Sequence, residues 1–316
     1  MRYLISLGIL FLFSFHGKEA QPAVWNNNND TVTVFMPGIV SAGYNERDMA
    51  ISPDGKEMFY TIVAPRNAFS VIVTRSFKNN KWSDPSIAAF SGTYPDLEPA
   101  FSPYGQRLYF ASKRPVIKGT KKNDFDIWYV QKQGSAWADP LHAGNEINTS
   151  TNEYYPSITN DGSVYFTAER KNSLGSEDIY KCEWKDGKFN EAINIGGGVN
   201  SKLDEFNAFI DPAESYIIFS AEGREGDMGR GDLYICYKKA DGSWGGSINM
   251  GPRINSSRLD YCPFVRKGIF YFTSERPGSY SPGQQLSYNR FTSLVNSWGN
   301  GWGDIYFSTV NLMGFQ

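Results

Sequence analysis

Five tetrads of strand-type residues recur along the chain: Met58-Phe59-Tyr60-Thr61, Leu108-Tyr109-Phe110-Ala111, Val164-Tyr165-Phe166-Thr167, Ile217-Ile218-Phe219-Ser220 and Phe270-Tyr271-Phe272-Thr273. Measured on the third residue, the spacings are 50, 56, 53 and 53. A period of this length marks one supersecondary unit, repeated, that buries its apolar faces only against its neighbours. Each copy reads in the same order. An acidic residue opens a first strand, and a turn such as Ser52-Pro53-Asp54-Gly55 or Thr159-Asn160-Asp161-Gly162 follows. Asp-Gly between apolar runs signals a tight hairpin, because both residues tolerate positive φ. The tetrad comes next, then a variable loop, then a third strand headed by Asp126-Ile127-Trp128, Asp178-Ile179-Tyr180, Asp232-Leu233-Tyr234 or Asp304-Ile305-Tyr306. A fourth strand opens with Trp82, Trp137, Phe189 or Trp244, read as packing residues between blades. It closes with Gly144, Gly196 or Gly251 ahead of Ile147-Asn148-Thr149, Val199-Asn200-Ser201 or Ile254-Asn255-Ser256.

Four short antiparallel strands per period predict an all-β fold, a single β-propeller with one four-stranded sheet per blade. Five blades are counted, with six as the alternative. The last repeat lacks its outer strand, and Thr31 to Gly38 supplies a substitute, which predicts ring closure by the N-terminal strand and removes exposed sheet edges.

The Ser52-Pro53-Asp54-Gly55 turn and its relatives, with Ser112-Lys113-Arg114 and Asp178-Ile179-Tyr180, resemble the WD40-like PD40 repeats of TolB-type propellers over residues 31 to 312. The "G-x-x-I-N-S/T" element is similar to that of exported PD40 proteins of Bacteroidetes-type bacteria. The resemblance implies a periplasmic or secreted protein-interaction scaffold. Blade 1 departs from the pattern at Phe69-Ser70-Val71-Ile72, and blade 4 at Asp211-Pro212-Ala213-Glu214.

Composition narrows the function. The chain has 31 Lys and Arg against 33 Asp and Glu, a net charge of -2, which gives no bulk attraction to nucleic acid. Only two histidines occur, His16 and His142, so multi-histidine metal sites are excluded. A Ser/His/Asp triad would need His142, which has no nucleophile elbow nearby. Arg2 followed by the short apolar run from Leu4 to Phe13 reads as a secretory signal peptide over residues 1–20, cleaved between 17 and 23. The propeller then occupies 24–316. The expectation is an exported protein, periplasmic or secreted and not a lipoprotein, with no membrane span once mature. Cys182, Cys236 and Cys262 read as buried small residues rather than a disulfide framework.

Aligning the repeats places Glu46, Asp96, Glu153, Glu205 and Asp260 at one position, the start of the innermost strand, expected to ring the channel mouth. Paired carboxylates there could serve glycoside hydrolysis, and several oxygens could hold Ca²⁺. Arg114, Arg170 and Arg276 recur at the end of the second strand, with Arg66 and Arg224 as looser equivalents. A carboxylate and a guanidinium delivered to one place in successive blades read as a structural clasp. No catalytic residue, metal ligand or cofactor is assigned, Ca²⁺ being the open alternative. The blade 5 loop from Pro277 to Gly303 carries Tyr280, Tyr288, Arg290, Phe291, Trp298 and Trp302, an aromatic set suited to a partner or to a self-packed plug. The reading is a non-enzymatic scaffold binding a protein or cell-wall glycan partner through its looped face. The alternative is a carbohydrate-active enzyme.

Overall fold

A computed structural model describes residues 32–278, 283 and 285–315. The segment read as a signal peptide and Tyr280 lie outside the described residues. The repeat folds into five antiparallel blade sheets, with one further two-stranded hairpin, Trp184–Lys185 against Lys188–Phe189. The innermost strands are Asn45–Ile51, Asp96–Phe101, Glu153–Ile158, Asp204–Ile210 and Asp260–Arg266 for blades 1 to 5. Each pairs with a second strand carrying a tetrad, Glu57–Val63, Arg107–Ser112, Val164–Ala168, Tyr216–Glu222 or Ile269–Ser274. Third strands Ser70–Lys78, Asp126–Gln133, Asp178–Cys182, Asp232–Tyr237 and Asp304–Ser308 complete the wide part of each blade.

The ring closes through the N-terminal strand, Thr33 opposite Phe307 and Val34 opposite Tyr306. The outer strands are shorter than the sequence implied. Pairing is limited to dipeptides such as Ser86–Ile87, Leu141–His142 and Ile193–Asn194. Three of the four aromatics expected to open these strands sit in short side hairpins or extensions instead, as in Lys81–Trp82 and Lys188–Phe189. From there Trp137 still packs between blades, against Phe59 and Phe101, and Trp244 meets Tyr165.

The tetrads are unbroken apolar runs because both faces are covered. Side chains alternate along a strand. Met58 and Tyr60 therefore enter the core shared with blade 5, and Phe59 the core shared with blade 2. Three further clusters fill the remaining interfaces between blades.

The asparagine of the closing motif ties blades to their own third strands. Asn148, Asn200 and Asn255 each accept from and donate to one residue, Ile127, Ile179 and Leu233 respectively. At the closure Ser41 does the same for Ile305. Blade 4 makes its turn without Asp-Gly by placing Glu214 at φ 58. Tyr165, Lys181 and Lys238 all bond that carboxylate, which compensates for the unfavourable backbone.

Candidate functional site

The five acids that head the inner strands do not line an open channel. Each is 1% exposed or less. Their oxygens accept from the preceding loop: Ala42 and Tyr44 N–H to Glu46, Thr149 to Glu153, Ser201 to Glu205 and Ser256 to Asp260. Arginines complete four of the five. Arg114 meets Asp96 at 2.8 Å, Arg224 meets Glu205 at 2.7 Å, Arg276 meets Asp260 at 2.8 Å, and Arg170 reaches Glu153 at 3.6 Å. In each case the same guanidinium donates to a carbonyl of the closing loop, Phe90, Ile147, Val199 or Ile254. Among the described residues, blade 1 has no such partner. Arg66 lies exposed in a 3-10 turn, Oε2 of Glu46 is buried without a hydrogen bond, and burial, with Asp304 adding, pushes the Glu46 carboxyl up to about 7.

His142 is absorbed by the same framework. Its Nε2 lies 3.2 Å from Asp126 and 2.9 Å from Asn148. In blades 3 and 4 this place is taken by Asn194, bonded to Asp178 and Asn200, and by Asn249, bonded to Asp232 and Asn255. Among the described residues, no serine or cysteine is bonded to His142.

The residues on the axis lie elsewhere. Every inner strand shifts register against its neighbour at one place, between Arg47 and Ala50, Leu97 and Ala100, Tyr154 and Ser157, Phe206 and Phe209, and Tyr261 and Phe264. A bulge of this kind re-aims the residue it contains. That residue is in the left-handed region in all five blades: Asp48 φ 59, Glu98 φ 61, Tyr155 φ 50, Asn207 φ 48 and Cys262 φ 53. Left-handed backbone at a non-glycine residue persists only where surrounding contacts impose it. Here the last tetrad residue of the preceding blade supplies a hydroxyl: Asp48 N–H donates to Thr273, Glu98 N–H to Thr61 at 3.1 Å, and Asn207 N–H to Thr167. Blade 2 has Ala111 at that place, and the Tyr155 N–H donates to Glu98 instead, at 2.7 Å.

Arg47 links the ring, donating to Asp48 at 2.6 Å and Glu98 at 2.9 Å. Glu98 also accepts from Asn207, and the Cys262 thiol donates to Asp48. Burial first, then Asp48, raises Glu98 to about 8, and burial holds the Cys262 thiol protonated. Apart from the two carboxyls, Asp48 and Glu98, these five residues share no side-chain type, so no repeat pattern marks them. Their only sequence signal is position, two residues after each heading acid in blades 1 to 3 and 5, with blade 4 read from Glu205.

The ring divides the axis. Above it, a funnel of about 540 Å³ has Arg47, Glu98 and Asn207 at its floor, and Phe69, Phe125, Tyr154, Phe206 and Tyr261 among its walls. Phe69 comes from the loop between second and third strands of blade 1, so the funnel opens on the looped face. Glu177 also lines it, raised to about 6 by burial and then by Asp204 and Glu169. Below the ring a second cavity, about 480 Å³, opens among the hairpin turns of the opposite face.

The blade 5 insertion, in its described residues, does not line the funnel. It folds into a helix, Tyr288–Val295, whose N-terminus is capped by Ser287. Tyr288 is 80% exposed, Phe291 53%, Trp302 44% and Trp298 38%. Arg290, Phe291 and Trp298 line a separate cleft with Arg258 and Glu275. Among the described residues, no group of three or more His, Cys, Asp or Glu could hold a metal ion, and the three cysteines are free and buried.

Five four-stranded blades around a hydrogen-bonded axis define a five-bladed β-propeller. No protein-family model and no curated protein sequence matches the chain. Solved structures do. A glycoside hydrolase is 8% identical with a TM-score of 0.54, over 89% of this chain and 93% of that one. An α-L-arabinofuranosidase from Podospora anserina, in complex with cellotriose, is 12% identical with a TM-score of 0.50, over 88% and 98%. TolB from Acinetobacter baumannii is 12% identical with a TM-score of 0.45, over 84% of this chain; the chain spans 54% of TolB's length. At these identities the likeness shows the fold alone.

Proposed function

We propose that the protein is an exported propeller that binds a cell-envelope glycan on its looped face without transforming it. One observation carries the reading: an aromatic-walled funnel whose charged floor is already spoken for by Arg47. Aromatic faces offer large contact area at low entropic cost, and polar groups at the base orient a hydroxylated ligand. Both oxygens of Glu98 accept hydrogen bonds, Oε1 from Arg47 and Asn207 and Oε2 from Tyr155. With both oxygens engaged inside the ring, Glu98 has no oxygen left free to meet a ligand. Export rests on the signal-type segment at residues 1–20.

The test is calorimetric titration with soluble cell-wall glycan fragments, using the chain and Phe69→Ala. Phe69 is 61% exposed, so its removal leaves the fold intact. A loss of roughly tenfold or more in affinity is expected, in line with an aromatic contact of about 1–3 kcal/mol. Unchanged binding in the variant, or no binding by the chain, sinks the proposal.

A second reading, a glycan hydrolase, is favoured by the Glu98 carboxyl standing at about 8 beneath the same funnel. Reducing ends released from a polysaccharide by the chain and not by Glu98→Gln would establish it in place of the first.

A further inference from the structure

The cavity below the axial ring differs in kind from the funnel above it. Its walls are formed by the inner strands past the bulge, with Met49, Ile51, Phe101, Ile158, Phe209 and Phe264 facing in. In three blades the residue after the bulge is proline, Pro99, Pro156 and Pro263. Proline carries no N–H, so the wall has no backbone donor at these places. Phe209 and Phe264 meet edge to face at 6.1 Å, which gives one side an aromatic surface. The ceiling is Glu98 and Tyr155, whose polar atoms are bonded within the ring and to Pro263. A chamber lined this way gives water few partners, and apolar cavities of such character take apolar ligands in its stead.

The mouth is not neutral. Arg266 lines it, and its guanidinium donates to the carbonyls of Ser52 and Pro53, both at 3.1 Å. Those partners carry no formal charge, so the positive charge stands at the entrance. Asp211 also borders the cavity, and its charge stands as well, since its Oδ2 accepts from the uncharged Ser215 N–H and hydroxyl; Lys267 lines the same mouth, so two cationic side chains face one carboxylate there. At about 480 Å³ the chamber falls within the roughly 300–1,000 Å³ of small-molecule sites.

We propose that this chamber is a binding site for a small monoanionic amphiphile, its apolar chain or ring inside and its carboxylate or sulfonate at Arg266. The site is independent of the glycan funnel, since the hydrogen-bonded ring lies between them.

The test uses the fluorescent probe 1-anilinonaphthalene-8-sulfonate with the full chain, displaced by dodecanoate or by dodecanol below their micellar ranges. One saturable equivalent of probe is expected, with dodecanoate at least tenfold more effective than dodecanol. Ala100→Phe, which fills the lumen from a half-buried wall position, should abolish binding. Arg266→Gln should bring dodecanoate down to the level of dodecanol, and Phe69→Ala in the funnel should change nothing. Non-saturable binding, equal displacement by acid and alcohol, or loss of binding in Phe69→Ala overturns the proposal. Where Ala100→Phe does not fold, the Arg266→Gln ratio decides: collapse supports the site, and an unchanged ratio refutes it.

Discussion

Glu46 is the inner-strand acid that the arginine clasp misses, and Ala64 is where the missing guanidinium belongs. In blade 2 Asp96 faces Ser112 and the arginine follows two residues later; in blade 5 Asp260 faces Ser274 and Arg276 follows likewise. Glu46 faces Ile62, so the equivalent residue is Ala64. Burial raises the Glu46 carboxyl from 4.5 to about 7. A raised folded-state value means that the stabilising proton is fully held below 4.5 and is lost as the pH climbs through 7. The gap corresponds to roughly 3 kcal/mol, at about 1.36 kcal/mol per pH unit, forfeited at pH 8. Ala64→Arg should recover part of it, about 1–3 kcal/mol once burial of the new side chain is set against the gain. For a chain of this size that is a rise of roughly 2–6 °C in Tm. Melting followed by circular dichroism at pH 5 and pH 8, in a four-member cycle with Glu46→Gln, measures it. The gain should appear at pH 8, vanish at pH 5 where Glu46 is already neutral, and be absent in the Glu46→Gln background. No gain at pH 8, or an equal gain with Gln at position 46, refutes the reasoning.

Arg276→Met leaves Asp260 buried beside a lost guanidinium and should cost about 3–5 kcal/mol, read as a lower denaturant midpoint; a loss under about 1 kcal/mol would count against the clasp. Thr61→Val strips the acceptor from the Glu98 N–H, and a penalty of about 1–3 kcal/mol with faster amide exchange at Glu98 is expected. His142→Asn should leave stability within about 1 kcal/mol, because blades 3 and 4 use asparagine there, whereas His142→Leu should cost more. Thermal melts of the two His142 variants side by side separate a framework role from any other.

Much of the fold was legible because it rests on local chemistry repeated five times. The Asp-Gly turns, the doubly buried tetrads and the Asn of the closing motif each recur, and a recurring residue exposes its role by alignment. The acids and arginines recur in the same way, although Arg224 stands one residue off the register and Arg66 bonds none of the heading acids among the described residues. The outer strands misled because aromatics that look like strand openers serve in side hairpins. The aromatics of the blade 5 insertion stand out through composition alone; Tyr288 and Phe291 lie on an exposed helix, Trp298 and Trp302 in the stretch after it, and none of these four lines the funnel.

The sequence by itself determined the period, the blade count, the strand order and the closing strand, because hydrophobic alternation and turn chemistry act over a few residues and need no distant partner. Tertiary structure alone decided what meets at the centre. Asp48, Glu98, Tyr155, Asn207 and Cys262 are brought together by five bulges, and a left-handed residue in a bulge is held by contacts from the neighbouring blade. Its own strand marks it only by position, two residues past the heading acid, and not by residue type. The division of the axis into a polar funnel and an apolar chamber follows from that ring, and so exists only once the circle is closed.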